Sequence, residues 1–210
     1  MTPILRGEDA ELLRGCVVGG GVAVLPTDTV YGICCDPDDV AAARRLYELK
    51  GRPPARPAAV MFFALEHALR ALPELSYFER RALTALLPGP VTVLLENRSS
   101  RFLAACRGDP STFGLRVPWL PGSLHALCSI AEPVMQSSAN ISGESDARTL
   151  AEVPLALRDG VDVVLDGGTL PGTASTVIDM RDYEASGNWH VLREGPLAAE
   201  AVRELLHEAR

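Results

Sequence analysis

The sequence predicts an α/β fold built as one domain over residues 1–210. Two observations predict it. Short apolar runs alternate with stretches of helical periodicity along the whole chain, the pattern of strands and helices taking turns. The alternation is also even, with no internal repeat, low-complexity tract or linker to divide it.

The first element is an amphipathic pattern over residues 8–18 (EDAELLRGCVV), a helix that Gly19, Gly20 and Gly21 end. Residues 22–25 (VAVL) read as a buried strand stopped by Pro26. Residues 38–49 read as a helix with Asp38 or Asp39 as N-cap, since a short side-chain oxygen there accepts from the first free backbone N–H groups. A loop stiffened by Pro53, Pro54 and Pro57 follows, and residues 58–63 (AAVMFF) form a second buried strand. Helical stretches near 65–72 and 76–87 lead through Pro88-Gly89-Pro90 into a strand at 91–95 (VTVLL). Further strands are expected at 113–117, 133–136, near 162–165, near 175–180 and at 189–193. Helices are expected at 122–131, near 149–158 and at 197–209.

Composition narrows the function classes. Hydrophobic residues make up 47% and charged residues 22%, as in ordinary globular domains. A chain of 210 residues buries roughly 70% of its unfolded surface, enough for a core without disulfide or metal staples. No apolar run has the length of a membrane span, and the first twenty residues carry Arg6, Glu8, Asp9, Glu11 and Arg14. A chain without signal peptide or membrane contact is expected. The five cysteines (Cys16, Cys34, Cys35, Cys106, Cys128) are odd in number and form no Cys-x-x-Cys, which fits reduced thiols in the cytoplasm. The four histidines lack metal-ligand spacing, so no protein-bound metal is expected. The net charge of −7 argues against a broad electrostatic grip on nucleic acid but leaves room for a local cationic pocket. Of the 20 basic residues all but Lys50 are arginine. That lone lysine fits a place needing a compact, strongly hydrated charge, or chance.

Walker-type phosphate loops, G-x-G-x-x-G and G-x-S-x-G are all absent. Four polar segments stand out instead, each just beyond an apolar run, where open α/β sheets place their ligand crevice. Pro26-Thr27-Asp28-Thr29-Val30-Tyr31-Gly32 gathers two threonine hydroxyls, a carboxylate and a phenol. Lys50-Gly51-Arg52-Pro53, stiffened by proline, can aim two cations at one anion. Ser137-Ser138-Ala139-Asn140-Ile141-Ser142-Gly143 offers hydroxyls, an amide and close backbone approach. Gly172-Thr173-Ala174-Ser175-Thr176-Val177 enters a strand. Read alone, each also fits an ordinary polar turn. Arg116 sits in an apolar strand and needs an anionic partner if buried, or an edge position if not. Lys50, Arg52, Arg116 and Arg193, with these hydroxyls and no nucleophile–histidine pair, suit binding of a polyanion and a small polar molecule.

In their order and spacing, the segments GGGVAVLPTDTVYG, KGRP, LPGPVTVLL, GLRVP, SSANISG, ASTVIDM and VLREG resemble the YrdC-type threonylcarbamoyl-adenylate synthase family in its single-domain form. The resemblance implies an open twisted mixed sheet with flanking helices around one large cationic cavity. It implies a nucleotidyltransferase that makes L-threonylcarbamoyl-adenylate and pyrophosphate from L-threonine, bicarbonate and ATP, with Mg2+ carried on the ATP. Threonylcarbamoyl transferase proteins then modify adenosine 37 of tRNA, so a weak tRNA contact is also implied.

The resemblance also distributes roles. Thr27, Arg116, Gln136 and Ser175 match positions that hold the threonine and carbamate part. Lys50, Arg52, Thr112, Ser138, Asn140 and Arg193 match positions at the nucleotide, with Lys50 and Arg52 also catalytic, and Ser145 or Asp146 lies where the next loop approaches the nucleotide. The chain departs from the family at Cys34-Cys35-Asp36, at Arg56-Pro57-Ala58, and at Gln136, where a small residue or threonine is frequent. Two other readings share the fold: a non-catalytic nucleotide- or double-stranded-RNA-binding protein, and a carbamoyl-adenylate-forming relative with another substrate.

Overall fold

The computed structural model describes residues 3–53 and 55–209. Pro54, expected to stiffen the loop after Lys50, lies outside them, as do Met1, Thr2 and Arg210.

Among the described residues nine strands form one open mixed sheet in the order β7-β1-β2-β6-β3-β5-β4-β8-β9. They are β1 (Ala23–Leu25), β2 (Gly32–Cys35), β3 (Ala59–Met61), β4 (Val91–Glu96), β5 (Thr112–Arg116), β6 (Val134–Ser138), β7 (Val163–Val164), β8 (Thr176–Asp179) and β9 (His190–Arg193). The β1·β7, β3·β5 and β4·β8 pairs are parallel and the others antiparallel. The helices are α1 (Gly7–Val18), α2 (Val40–Lys50), α3 (Leu65–Ala71), α4 (Tyr77–Leu86), α5 (Leu155–Gly160), α6 (Tyr183–Ser186) and α7 (Ala199–Glu208). None is long and apolar enough to cross a membrane.

Local chemistry sets several boundaries. Asp39 caps α2, its Oδ1 accepting from the N–H groups of Ala41 at 2.8 Å and Ala42 at 3.0 Å. Ser76 and Glu79 start α4 with a reciprocal capping box. Three expectations change. The stretch at 122–131 is a 3-10 helix over Gly122–Ser129. Its buried residues Leu124 and Leu127, with Ile130 just past its end, recur every third position, the period of the tighter helix. The expected helix near 149–158 splits at Pro154, which has no N–H to give, into a 3-10 turn at Leu150–Glu152 and α5. Strand β2 and the single turn of α6 are additions to the sequence reading.

The sheet is covered unequally. On one face Val24, Ile33, Val60, Val93, Leu115 and Met135 pack with residues of α2, α3, α4 and α7 into the larger core. On the other face α1 and the Gly122–Ser129 segment cover Ala23, Leu25, Cys34, Met61 and Val134 at one end only. The rest of that face is bare, and the polar segments gather above it. Strand β9 is held in place by a close approach at Gly195. A Cβ there would run into the backbone nitrogen of Thr176 and lie 2.6 Å from the Ala174 carbonyl oxygen. Gly195→Ala is therefore expected to loosen the β8·β9 edge and cost about 1–3 kcal/mol, read as a lower denaturant midpoint. An unchanged midpoint would contradict this.

Candidate active site

The floor of the cavity is the bare stretch of sheet. One row across the register runs Gln136, Ala59, Gly114 and Leu94, on β6, β3, β5 and β4. Its two central members are small. Even a Cβ on Gly114 would stand 3.2 Å from Thr92 Cγ2 and 3.3 Å from Leu94 Cδ2. Loops rising around this floor enclose about 540 Å3, the scale of a small-molecule site. Among the described residues the wall carries Lys50, Arg52, Arg56, Arg116, Arg181 and Arg193 against Asp109, Glu144 and Asp146. The local balance is thus opposite in sign to the chain's net −7.

Lys50 is the last residue of α2, and Gly51 in the left-handed conformation (φ 58°) turns the chain away behind it. Its side chain is buried, with 1% exposed. The ammonium donates to the carbonyl oxygens of Ser138 and Asn140, the latter at 2.6 Å, and to Asn140 Oδ1 at 3.0 Å. The Ser142 N–H returns a bond to the Lys50 carbonyl at 2.9 Å. The KGRP and SSANISG segments are thereby one unit, although some 90 residues separate them. Burial, reinforced by Arg52, lowers the Lys50 pKa from its ordinary 10.5 to about 8. Arg52 donates to Ser137 Oγ at 3.0 Å and to the Pro57 carbonyl at 2.5 Å. Ser138 Oγ donates to Asn140 Oδ1 at 2.7 Å, and Asn140 Nδ2 to the Glu144 carbonyl at 2.6 Å.

Arg116 occupies an interior strand, not an edge. Its guanidinium is 3% exposed and pairs with Asp28, 7% exposed, at 2.7 Å. The same Nη2 reaches Thr29 Oγ1 at 2.7 Å and Thr27 Oγ1 at 3.4 Å. Asp28 also accepts from the Trp119 N–H at 2.9 Å. Burial pushes the Asp28 carboxyl up and the Arg116 guanidinium down, each against the other's pull. Arg116 Nε is buried without a partner. An unanswered donor in a cavity wall is a place for an anionic ligand.

The far wall comes from β4, the residue entering β8, and β9. Ser175 Oγ lies 2.9 Å from Thr92 Oγ1 and accepts from Arg193 Nη2 at 3.2 Å. Arg193 also grips the Ser175 carbonyl through Nε and Nη2. Thr112 lines the cavity beside Arg181.

The structure thus brings Lys50, Arg52, Thr112, Arg116, Gln136, Ser138, Asn140, Ser175 and Arg193 to one cavity. Two residues stand apart. Thr27 is behind the wall, its hydroxyl donating to the Val30 carbonyl at 2.7 Å, while Thr29 takes the place on the wall itself. Of the two candidates in the loop that follows, Ser145 is exposed and Asp146 lines the cavity, as does Glu144. Sequence reasoning passed over Arg56, Thr92, Asp109 and Arg181, which no motif marks. The Asp28–Arg116 pairing was half signalled by an arginine in an apolar strand.

The Sua5/YciO/YrdC family model, described as telomere recombination, matches residues 16–195. A threonylcarbamoyl-AMP synthase of Chromohalobacter salexigens is 34% identical over 167 residues, covering 79% of this chain and 89% of that protein. A threonylcarbamoyl-AMP synthase of Pyrococcus abyssi is 28% identical over 201 residues, and the chain spans 95% of itself but 58% of that longer relative. The crystal structure of P. abyssi Sua5 complexed with L-threonine superposes with a TM-score of 0.82 at 25% identity, over 98% of this chain and 59% of that one.

Proposed function

This chain belongs to the Sua5/YciO/YrdC family, and we propose from that premise that it condenses L-threonine, bicarbonate and ATP into L-threonylcarbamoyl-adenylate and pyrophosphate. The threonine amine and bicarbonate give the carbamate and water. A carbamate oxygen then attacks the α-phosphorus of ATP. The bond from that phosphorus to the bridging oxygen breaks, and its electron pair leaves on pyrophosphate.

The reaction brings two anions together. Like charges 4 Å apart repel by about 4 kcal/mol at an effective dielectric near 20. The observation that carries the reading is the convergence of Lys50 and Arg52 with Arg116 on one cavity. The first two face the nucleotide with Thr112, Ser138, Asn140 and Arg193. Arg116, set by Asp28 and Thr29, faces the amino acid with Ser175. Positioning and charge complementarity supply the catalysis, so no base–nucleophile pair is required. A magnesium ion carried on the ATP would neutralise part of the triphosphate charge that Lys50 and Arg52 face. Among the described residues no group of three or more His, Cys, Asp or Glu could hold a metal ion, and the reading seats magnesium on phosphate oxygens.

In this reading the protein works in the cytoplasm with reduced thiols and hands its product to threonylcarbamoyl transferase proteins that modify tRNA, touching tRNA weakly itself. The test is product identity. Incubation with ATP, L-threonine and 13C-bicarbonate is expected to give a labelled species with the mass of threonylcarbamoyl-AMP. Label retained only in bicarbonate would refute the reading.

A further inference from the structure

Tyr47 is buried on α2, one turn before Lys50, and lies behind the cavity wall. Its hydroxyl donates to the Arg56 carbonyl at 2.5 Å. Two guanidiniums lie over its ring, Arg52 at 5.7 Å and Arg107 at 5.0 Å from the centroid. The phenol therefore holds the turn after Lys50 at two points, Arg52 and Arg56. Residues 104–108 brace the same turn. The Ala58 N–H donates to the Ala105 carbonyl at 3.0 Å. A Cβ on Gly108 would lie 2.6 Å from the Ala55 carbonyl oxygen, so the two segments touch backbone to backbone.

The groups that hold Arg52 are all neutral. They are Ser137 Oγ, the carbonyls of Arg56 and Pro57, and the Tyr47 ring. Arg116, by contrast, is held by the Asp28 carboxylate. An arginine paired with a carboxylate has much of its charge already answered. One laid against a ring is held by the negative face of the π-system and keeps its charge for a ligand. The attraction is stronger where the ring is desolvated, as the buried Tyr47 is.

Resting on the function proposed above, we infer that Tyr47, steadied by Arg107, aims Arg52 at the phosphates of the nucleotide without cancelling its charge. Tyr47 is thus a positioning residue: it lines no part of the cavity and acts through Arg52. The hydroxyl fixes the turn, and the ring fixes the guanidinium. Leucine at this place fills the buried space and supplies neither, while phenylalanine keeps the ring.

The experiment is steady-state pyrophosphate release by the full chain, with ATP varied at saturating threonine and bicarbonate. Tyr47→Leu is expected to lower kcat/KM for ATP about tenfold, through loss of the ring contact and the hydroxyl bond together. The KM for threonine stays within about twofold. Tyr47→Phe is expected to recover most of the loss. A double-mutant cycle on ATP binding, read by calorimetry, separates positioning from general support of the fold. Tyr47→Leu is expected to weaken ATP binding in the wild-type chain but to change it less than about twofold once Arg52→Met is present. Should Tyr47→Leu fail to fold, Arg107→Met takes its place in the cycle, with a loss of about threefold expected. A wild-type protein with no threonine- and bicarbonate-dependent release overturns the function and this inference together. With a normal wild type, three results overturn the role of Tyr47 alone: unchanged ATP constants, a threonine KM raised equally, or losses that multiply with Arg52→Met.

Discussion

Lys50→Met is expected to cut adenylate formation by at least tenfold while the chain still folds. Methionine keeps the length and helix-forming character of the side chain and removes only the charge and its donors. The ammonium's three protons all go to the 138–140 segment, so Lys50 acts from a fixed position as both clamp and counter-charge. The acceptors it leaves lie at a cavity wall where water can replace it, which limits the cost to the fold.

The same residue fixes the pH dependence. Its pKa of about 8 lies below the ordinary 10.5 that it regains on unfolding. Below pH 8 both states carry the proton, and the penalty of the buried charge is fully present. As pH rises from about 8 to 10.5 the folded state sheds the proton first, and that penalty is relieved. Activity, which needs the charge, is expected to fall as pH rises through about 8, with no parallel loss of stability from this group. In Lys50→Met this limb of the pH–rate profile disappears. Near-wild-type turnover in the variant, or an unchanged limb, would contradict the role of Lys50.

The second large effect belongs to Arg116. Arg116→Met is expected to abolish threonine-dependent turnover and to destabilise the chain by about 3–5 kcal/mol, because it strands the Asp28 carboxylate in a buried site. Adding Asp28→Asn removes the stranded charge, so the double variant is expected to recover most of the stability and none of the turnover. Denaturant midpoints of the two single variants and the double variant measure this. A stable Arg116→Met, or a double variant as unstable as the single, would show that the pair does not hold this wall.

The sequence carried these features unevenly. Runs such as 22–25 and 91–95 are apolar throughout and bounded by proline or glycine, so their strands could be read directly. β2 could not: Gly32–Cys35 follows a polar turn without a break, and its two cysteines read as thiols before they read as strand residues. The 3-10 helix was visible in principle in the three-residue spacing of Leu124, Leu127 and Ile130, and Pro154 announced the break between Glu152 and Leu155. Within the site, Lys50 was legible because it is the lone lysine, and Asn140 because its segment is dense in small polar residues. What could not be read was pairing across distance. The Asp28–Arg116 contact spans 88 positions, and Arg181 and Thr92 reach the cavity only because β8 and β4 lie side by side. The displacement of Thr27 by Thr29 at the wall depends on which way a short turn faces, a choice made by the hydroxyl bond to Val30.

The most direct measurement is pyrophosphate release from ATP with each co-substrate omitted in turn. Release that requires L-threonine and bicarbonate together is the result expected if one cationic cavity joins a carbamate to a nucleotide. Release that continues undiminished when either is left out, or none with the full set, would contradict it.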